Sequence, residues 1–380
     1  MQKKIFYWSP HINEHVATVK AVLNSAKSLS KYDNNFKPYI INAFGEWDNF
    51  SSKLNTLKIP IIKIKNLKIK LPINGFLKSR IFYIYFSLII FLPLMKILKK
   101  EKPEFVIIHL ITIPVLMASL FIKNTKFILR ISGFPRLNLF RRIMWKVLSK
   151  KVHKVFTPTL ITRDLLIKNK IFEEDKVFLL QDPVIEIREI SKLKKEKLID
   201  ITENTKYIIS IGRLTKQKNF EFLIKSFNKI KKELDDLKLL IIGSGEEYNK
   251  LTQLIIKNQL EKDIFIKDFK TNIFNYLDKA YFFILASNME DPGFVIIEAA
   301  SCNKFIISSD VNSGPKEFLG DQKNGFLFKK NSYVDFREKI FKFLNLNKEE
   351  SNRIRLRAKI KSKDYTIFSH YCKLRSYLES

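Results

Sequence analysis

Short runs of consecutive apolar residues alternate with longer amphipathic segments along almost the whole chain. The run at 105–108 is apolar throughout, as expected for a parallel strand that is buried on both faces of its sheet. The segment at 16–29 instead carries apolar residues at intervals of three and four, the spacing of a helix with one buried face. Strand and helix in regular alternation predict an α/β fold built on doubly wound parallel sheets.

The predicted strands fall into two groups, so the chain is expected to form two domains. At roughly 100–200 residues per domain, 380 residues is also the length of two domains. Strands are predicted at 4–8, 38–42, 59–64, 105–109, 126–131 and 154–156, and then at 207–211, 237–242, 263–266, 281–285 and 305–308. We place an N-terminal Rossmann-like domain at 1–183, a charged linker at 184–205 and a second Rossmann-like domain at 206–360. A C-terminal helix at 361–380 is expected to cross back to the first domain.

The chain is strongly basic, with 69 Lys and Arg residues against 38 Asp and Glu residues and a net charge of +31. Such a surplus attracts polyanions, which include nucleic acids, anionic membranes and phosphorylated substrates. The lysines are spread along the whole chain, which a generally lysine-rich composition also explains. The sequence shows no recognisable nucleic-acid-binding module, so we expect no nucleic-acid partner.

Three interpretations stay open for the apolar segment 81–98: a buried helix, a helix in the membrane interface, or a transmembrane span. The segment is near the lower length limit for a span, contains Pro93 and Lys96, and lies between predicted strands of one domain. The cations around it, such as Lys78 and Lys99, favour contact with an anionic membrane surface. Two isolated cysteines suit a reducing compartment. We therefore expect a cytoplasmic protein in peripheral contact with the inner face of the cell membrane.

A first cluster of candidate functional residues follows the predicted strand at 207–211. Gly212 and Arg213 come directly after the strand, and Lys218 precedes the next helix. Arginine as a planar fork and lysine as a point charge can converge on a diphosphate. A glycine lets a ligand approach the backbone closely. Taken alone, the same residues also describe a solvated basic loop.

A second cluster follows the predicted strand at 281–285. Glu290 lies in the loop, Gly293 ends the turn, and a helix is predicted to begin near Phe294 and to carry Glu298. The free N–H groups at the start of a helix form an anion site. Each carboxylate can accept hydrogen bonds from two hydroxyl groups, as a ribose or a hexose offers them. The alternative is one acid near a helix end and one exposed acid in a loop.

Glu290 and Glu298, separated by seven residues, resemble the paired-glutamate motif of the family 4 retaining glycosyltransferases. These enzymes have the GT-B fold, and many serve bacterial polysaccharide or lipopolysaccharide synthesis. Four further segments resemble the family's motifs in the family's order: Gly212-Arg213-Leu214 with Lys218, Gly243-Ser244-Gly245-Glu246, Ser313-Gly314-Pro315-Lys316-Glu317 and Asn324-Gly325-Phe326-Leu327-Phe328. The resemblance covers about 207–328. It implies two doubly wound Rossmann-like domains that face each other across a cleft.

The resemblance also implies a function: transfer of a hexose-type sugar from a nucleotide-sugar to a glycan or lipid-linked acceptor. The anomeric configuration would be retained, without an essential metal ion or other cofactor, in cell-surface polysaccharide synthesis. By this resemblance Glu298 would bind the ribose and Glu290 the hydroxyls of the transferred sugar. The implied catalytic residues are Glu290, Arg213, Lys218 and His109, which ends a Lys-Pro-Glu strand and would face the donor sugar. The implied donor-binding residues are Glu298, Gly212, Gly293, Phe294, Gly243 and Gly245.

The first half departs from the family pattern at one point, because the loop at 9–15 contains no glycine where many members are glycine-rich. A sugar-phosphate synthase or phosphorylase on the same fold is an alternative function. A nicotinamide-dependent oxidoreductase would need a third glycine where Tyr248 stands. A nucleic-acid-binding protein would leave the paired glutamates unexplained.

Overall fold

The computed structural model describes residues 2–10, 17–64, 76–135, 137–198, 201, 205–234, 237–311 and 313–380, with the backbone alone at 76–84 and 140. The chain divides into two compact units. The first comprises Met1–Pro183 and Ile367–Ser380, and the second comprises Val184–Thr366. Each unit is built on its own parallel sheet.

The strands of the first sheet are β1 (Lys3–Trp8), β2 (Phe36–Asn42), β3 (Ile61–Lys63), β4 (Phe105–Ile108), β5 (Lys126–Arg130), β6 (Val152–Thr157) and β7 (Val177–Leu179). Those of the second sheet are β8 (Tyr207–Ile211), β9 (Lys238–Ile242), β10 (Ile264–Lys267), β11 (Phe283–Leu285), β12 (Ile306–Asp310) and β13 (Phe326–Lys329). The helices in chain order are α1 (Ala17–Tyr32), α2 (Ser51–Thr56), α3 (Phe76–Glu101), α4 (Ile113–Ala118), α5 (Leu139–Leu148), α6 (Leu160–Lys168), α7 (Ile187–Leu193), α8 (Phe220–Ile230), α9 (Tyr248–Lys257), α10 (Phe274–Lys279), α11 (Phe294–Ser301), α12 (Gly314–Leu319), α13 (Tyr333–Leu344), α14 (Lys348–Ser362) and α15 (Ile367–Glu379).

Both sheets have the topology expected of a doubly wound fold. The strand order is β3-β2-β1-β4-β5-β6-β7 in the first sheet and β10-β9-β8-β11-β12-β13 in the second. The order reverses between β1 and β4 in one sheet and between β8 and β11 in the other. Ligands of open parallel sheets bind outside the carboxyl ends of the strands at such a switch point. The predicted α/β class with two Rossmann-like domains is confirmed.

Helices cover both faces of the first sheet. Helices α1 and α15 share one core, to which they contribute Val22 and Leu374. Helices α3 to α6 pack on the opposite face and share a second core, to which they contribute Leu94, Val115, Trp145 and Leu166. The outer sides of α3, α4 and α5 therefore point away from the same face of the sheet.

Helix α3, which contains the apolar segment 81–98, has one buried and one exposed side over the part whose side chains are described. Phe86 and Ile90 are buried in the core of the first unit, whereas Leu88 and Leu92 are 72% and 67% exposed. This pattern excludes a helix that is buried on all sides. No helix formed by the described residues is long and apolar enough to cross a membrane.

Helix α15 is attached to the first unit by polar contacts as well as by its apolar side. Tyr371 donates a hydrogen bond from its hydroxyl to Asp33 at 3.1 Å. Lys154 Nζ donates a hydrogen bond to the carbonyl of Tyr377 at 2.6 Å. The last residues of the chain are thus part of the same compact unit as β1 to β7.

The segment 184–205, expected to be a linker, differs from that expectation. It lies within the second unit, and it contains α7, whose Ile190 is buried in the core of that unit. The backbone N–H of Val184 donates a hydrogen bond to the carbonyl of Tyr365 at 2.8 Å, so both ends of this unit are fixed to each other. Ile187, Ile190 and Leu193 recur every three residues in α7, but this apolar row is short and lies in a highly charged segment, which favoured the interpretation as a linker.

Two strands were not predicted, β7 and β13. Each lies at the edge of its sheet and pairs with only one neighbour. They contain three and four residues. A strand this short shows too few alternations for its pattern to stand out from a loop.

Candidate active site

The two clusters predicted from the sequence lie next to each other at the switch point of the second sheet. The loop at 212–219 follows β8, and the loop at 286–293 follows β11. Because β8 and β11 are neighbouring parallel strands, both loops leave the same edge of the sheet. The fold thus brings the predicted cations and the predicted carboxylates together.

Lys218 and Glu290 form the central contact between these loops. Lys218 Nζ donates a hydrogen bond to Glu290 Oε1, and the two side chains form an ion pair that is only 12% and 8% exposed. Each partner compensates the hydration that the other has lost. The sequence predicted both residues at the ligand, but it did not predict that they bind each other.

Glu290 is held by further contacts from serines that the sequence reasoning missed. Ser287 Oγ donates a hydrogen bond to Glu290 Oε1 at 2.7 Å. The backbone carbonyl of Glu290 accepts hydrogen bonds from Ser313 Oγ and, at 3.3 Å, from the N–H of Gly314. Glu290 Oε2 accepts no hydrogen bond from any described residue. Described contacts therefore fix one carboxylate oxygen and leave the other without a described partner. Ser287 could have been found from the sequence, because it is a hydroxyl residue just after β11, at the sheet edge where ligands bind.

The two loops are also joined through their backbones. Asn288 N–H donates a hydrogen bond to the carbonyl of Gln217 at 2.7 Å, and Gln217 Nε2 donates one to the carbonyl of Met289 at 2.9 Å. Asn288 Nδ2 reaches the carbonyl of Lys216 at 3.0 Å. These three hydrogen bonds fix the distance between the loops, so Lys218 and Glu290 are held close to each other by the backbone as well as by their own contact.

Gly212 has a different role in the structure from the one expected. A Cβ atom at this position would lie 3.0 Å from Cε and 3.1 Å from Cδ of Lys218. The missing side chain therefore leaves room for the aliphatic part of Lys218 to pass toward Glu290. The sequence predicted that a ligand approaches the backbone at Gly212, because the course of the lysine side chain cannot be read from the sequence.

Gly243 and Gly245 lie against the backbone of the loop that follows β8. A Cβ atom at Gly243 would lie 1.9 Å from the carbonyl oxygen of Gly212, and one at Gly245 would lie 2.5 Å from that of Leu214. Both glycines have positive φ angles, +159° and +155°. Leu214 N–H donates a hydrogen bond to the carbonyl of Ser244 at 2.8 Å. In the described structure these two glycines position the cation loop, and their contact with a donor stays a prediction.

Helix α11 begins at the site and carries the second glutamate. Gly293 precedes it with φ +87° and ψ +70°, a left-handed conformation that glycine adopts without strain. The first N–H groups of a helix lack the usual partner four residues earlier and carry partial positive charge. In α11 the N–H of Ile296 donates to the carbonyl of Gly293 at 3.0 Å, so the anion-binding end is formed by Phe294 and the residue after it. Glu298 is 6% exposed, one turn into the helix. The helix thus offers an anion-binding end and a buried carboxylate on one short element.

Arg213 is the cation of the site that faces solvent. Its side chain is exposed, and it forms no hydrogen bond or ion pair with a described residue. Two hydroxyls nearby in the chain, Ser210 Oγ and Thr215 Oγ1, are buried and lack a partner among the described atoms. Arginine at this edge can therefore turn to a bound anion without breaking an existing contact.

His109 belongs to the first unit, directly after β4 and beside the switch point of the first sheet. It is 7% exposed, and its Nε2 atom has no hydrogen-bond partner among the described residues. Burial, with smaller contributions from Arg130 and His370, holds the pKa of His109 well below its usual range. The ring is therefore neutral near pH 7. A small cavity lined in part by His109, Arg130, Asp182 and His370 has room for about one water molecule.

Buried polar groups around this cavity form two connected sets. Arg130 donates hydrogen bonds to the carbonyl of Leu180 at 2.6 Å and to Asp182 Oδ1 at 2.5 Å.

His370 is at the centre of the second set. Its Nδ1 atom lies 2.7 Å from the carbonyl oxygen of Gln181, so this nitrogen carries the proton. His370 Nε2 then accepts from Ser25 Oγ at 2.9 Å, and Ser25 accepts from the Tyr7 hydroxyl at 2.9 Å. Arg136, six residues after the end of β5 in the sequence, lies outside the described residues.

No group of three or more His, Cys, Asp or Glu side chains is placed to hold a metal ion within the described ranges. The second unit thus combines an exposed arginine, a lysine held by a glutamate, a helix N-terminus and a second buried glutamate. This arrangement is suited to bind an anionic group together with several hydroxyls.

Residues 191–361 match the family model described as glycosyl transferases group 1. This stretch contains both switch-point loops and both glutamates. The resemblance to glycosyltransferases inferred from the sequence is therefore confirmed for this stretch.

Two curated relatives show the similarity in more detail. The chain is 30% identical over 250 residues to an uncharacterized glycosyltransferase of Methanocaldococcus jannaschii, an alignment that covers 61% of each protein. It is 27% identical over 271 residues to the N-acetylgalactosamine-N,N'-diacetylbacillosaminyl-diphospho-undecaprenol 4-alpha-N-acetylgalactosaminyltransferase of Campylobacter jejuni, covering 67% of this chain and 71% of the relative. The aligned part is thus less than two-thirds of the length of the first of these relatives.

A solved structure shows the same fold over the full length. The Anabaena protein HepE, solved in complex with UDP and glucose, matches with a TM-score of 0.75 at 16% identity, and 100% of both chains is covered. At this identity the likeness establishes the fold, which is the GT-B fold predicted from the sequence.

Proposed function

We propose that the protein transfers a sugar from a nucleotide-sugar donor to a glycan or lipid-linked acceptor, in the synthesis of a cell-surface polysaccharide. The observation that carries this proposal is the nearly buried Lys218–Glu290 pair at the switch point of the second sheet, within the stretch that matches the group 1 glycosyltransferase model. One oxygen of Glu290 is fixed by Lys218 and Ser287, and the other accepts no hydrogen bond from a described residue. Such a carboxylate is ready to accept hydrogen bonds from sugar hydroxyls.

In the proposed reaction the bond between the anomeric carbon and the diphosphate oxygen breaks, and a bond from that carbon to an acceptor hydroxyl oxygen forms. Negative charge develops on the leaving diphosphate as its bond to the anomeric carbon breaks, and the diphosphate takes up the proton that the acceptor hydroxyl gives up. We assign Arg213, Lys218 and the N-terminus of α11 at Gly293 and Phe294 to this charge. Buried Glu298 is assigned to the ribose. Retention of the anomeric configuration and independence of metal ions are part of the proposal.

His109 is proposed to meet the donor sugar with its Nε2 atom. The neutral ring has one N–H donor and one acceptor, and Nε2 has no partner among the described residues. A buried nitrogen without a partner costs free energy unless a ligand or a water molecule satisfies it. Gly243 and Gly245 are proposed to lie near the donor as well as to position the cation loop.

The acceptor is proposed to be lipid-linked and the protein to act at the inner face of the cell membrane. The name of the Campylobacter jejuni relative describes a diphospho-undecaprenol substrate for that protein. The first unit also exposes large apolar side chains on α3. A cytoplasmic location with peripheral membrane contact brings such an acceptor within reach of the site.

A thermal-shift series with UDP, GDP, ADP, CMP and NAD tests donor binding. A nucleotide at about 100 times its dissociation constant stabilises the protein by roughly 2.7 kcal/mol. We expect one nucleoside diphosphate to give this shift and Glu298→Gln to abolish it. The control Glu246→Gln removes an exposed carboxylate from the glycine-rich turn and should retain the shift. A shift with NAD alone would contradict the proposal.

Product analysis with the matching nucleotide-sugar tests the chemistry. The proposal requires a free nucleoside diphosphate and a product whose anomeric configuration, measured by NMR, equals that of the donor. Activity in excess EDTA should equal activity without it. Sugar 1-phosphate formed from a glycan and inorganic phosphate would instead identify a phosphorylase.

A further inference from the structure

The exposed apolar side chains of the first unit are concentrated on one side. Among the side chains that the structure describes in this unit, eleven large apolar ones are exposed, and ten of these belong to α3 to α6 or to the residues just after α4. Of these eleven described side chains, Phe368 alone lies on the opposite side, on α15. The most exposed members are Leu88, Leu92, Phe121, Leu139, Ile143 and Val147, which we call the outer apolar face.

The members of the outer apolar face point in one direction because their helices cover one face of the sheet. Helices α3, α4 and α5 share a single core with β1, β4 and β5. Phe91 of α3 contacts Phe121 edge-on, with ring centroids 6.1 Å apart, so α3 and the end of α4 are neighbours. Contiguous exposed apolar surface on a folded protein marks an interaction site.

Helix α5 was not singled out in the sequence, and it carries the most regular part of this face. Leu139, Ile143 and Val147 recur every four residues and are 74%, 55% and 68% exposed. The inner side of the same helix buries Trp145 and Leu148. A helix that is apolar on both its inner and part of its outer side is not explained by packing within the unit.

A row of cations accompanies the apolar row of α5. Arg142, Lys146 and Lys150 follow the three apolar residues at a distance of three and are exposed. None of them forms an ion pair with a described residue. Apolar side chains beside unpaired cations are the composition of a surface that lies on anionic lipid.

The charge of the whole region is one-sided. Residues 76–163 contain eleven lysines and six arginines but only two acidic residues, Glu101 and Glu104. Both acids are engaged, Glu101 with Lys4 at 2.8 Å and Glu104 with Lys3 at 3.7 Å. Nothing acidic in this stretch therefore opposes the approach of a negatively charged surface.

We propose that the outer apolar face, with α5 at its centre, binds the surface of an anionic lipid bilayer. Leu139, Ile143 and Val147 insert at the level of the headgroups, and Arg142, Lys146 and Lys150 contact lipid phosphates. The proposal rests on the proposed function in that it brings a lipid-linked acceptor to the enzyme. It assigns the membrane contact to a defined surface of the first unit.

Vesicle flotation of the full-length protein tests this assignment. We expect binding to vesicles of phosphatidylcholine with about 30% phosphatidylglycerol and much weaker binding to vesicles of pure phosphatidylcholine. Ile143→Gln with Val147→Gln should lower the partition coefficient about tenfold or more, because two apolar anchors are lost. Arg142→Glu with Lys146→Glu should abolish the preference for anionic vesicles.

Helix α14 in the second unit offers a matched control. Leu356 and Ile360 are also four residues apart, each is 54% exposed, and Arg357 and Lys359 lie beside them. Leu356→Gln with Ile360→Gln should bind vesicles like the unchanged protein. An equal loss in both double variants would overturn the assignment to α5.

Two other results would also overturn the proposal. One is absence of binding to anionic vesicles. The other is a protein that binds no vesicles but forms a concentration-dependent dimer in light scattering. If Ile143→Gln with Val147→Gln abolished that dimer, the face would be a contact between two copies of the chain. The nucleotide thermal shift, measured on the same variants, should be unchanged. If the protein without substitutions showed no nucleotide thermal shift, this result would count against the proposed function and not against the membrane surface.

Discussion

Lys218 reaches from the loop after β8 to Glu290 in the loop after β11, and the two nearly buried side chains neutralise each other. Gly212 makes this reach possible, since a side chain there would crowd Cδ and Cε of Lys218. In the proposed site the lysine is thus bound to a carboxylate before any substrate arrives. Arg213, exposed and without a described partner, is the cation that faces solvent.

Breaking the Lys218–Glu290 pair is expected to destabilise the second unit as well as to stop catalysis. Glu290→Gln leaves an ammonium nearly buried without its counter-charge, which costs about 3–5 kcal/mol. The double variant Lys218→Met with Glu290→Gln removes both charges, and it should regain much of this stability while staying inactive. Urea unfolding of both single variants and of the double variant measures the coupling. Additive losses of stability would contradict the pairing.

Arg213→Ala is expected to affect turnover and not stability. The guanidinium is exposed and bonds to no described residue, so its removal breaks no contact with the described part of the chain. If it stabilises charge on the leaving diphosphate, turnover should fall about 10²–10³-fold. Lys216→Ala, an exposed cation three residues away, serves as the control and should stay near normal. Near-normal turnover in Arg213→Ala would remove this residue from the mechanism.

Gly243→Ala and Gly320→Ala separate a steric clash from backbone strain. Both glycines have positive φ, which costs a residue with a side chain about 1–2 kcal/mol. A Cβ atom at Gly320 meets nothing within 4 Å, whereas one at Gly243 would lie 1.9 Å from the carbonyl oxygen of Gly212. We expect a modest loss in melting temperature for Gly320→Ala and a much larger one for Gly243→Ala. Equal losses would show that the cation loop yields to the added methyl group.

His370 is expected to make the first unit sensitive to acid. Burial lowers the pKa of His370 from 6.5 to about 3. Between these two pH values the ring is protonated in the unfolded chain and neutral in the folded chain. Stability is therefore fully present above about pH 6.5 and falls by about 1.4 kcal/mol per pH unit as the pH drops toward 3. His109 contributes with the same sign.

The variant His370→Asn isolates this effect, because asparagine does not titrate. Burial raises the pKa of Glu46 to about 7, so this group lowers stability as the pH rises from about 4.5 to 7, the opposite sign. The Glu46 contribution is the same in both proteins and cancels in the comparison. Denaturant midpoints at pH 7, 6, 5 and 4 should show a shallower pH dependence in His370→Asn. Parallel curves would mean that the pKa of His370 is the same in the folded and the unfolded protein.

The central strands were predictable because their environment leaves a strong pattern. β8 was predicted at its observed bounds, since all five of its residues are buried and no polar face interrupts the run. The loops that follow β8 and β11 were predictable as site loops for the same reason. Parallel strands of one sheet end at one edge, so polar residues after them must meet.

The contacts within the site were not predictable, because they depend on distances between loops. Ser313 approaches the carbonyl of Glu290 from another element, 23 residues further along the chain. The role of Gly212 depends on the path of one lysine side chain. The buried Ile190 of α7 has only Ile187 and Leu193 as apolar companions in that helix, and so short a row does not stand out in a charged segment.

The place of α15 in the first unit has a consequence for how the chain folds as it leaves the ribosome. Residues of the second unit are continuous in sequence, but the core around Val22 and Leu29 lacks Leu374 and Leu378 until the last helix has been synthesised. At 5–20 residues per second, the segment that follows Pro183 takes roughly 10–40 s to translate. During this time the nascent first unit exposes the apolar side of α1. The unit that is begun first is thus completed last, and a chain stalled before α15 is a substrate for chaperones that bind exposed apolar surface.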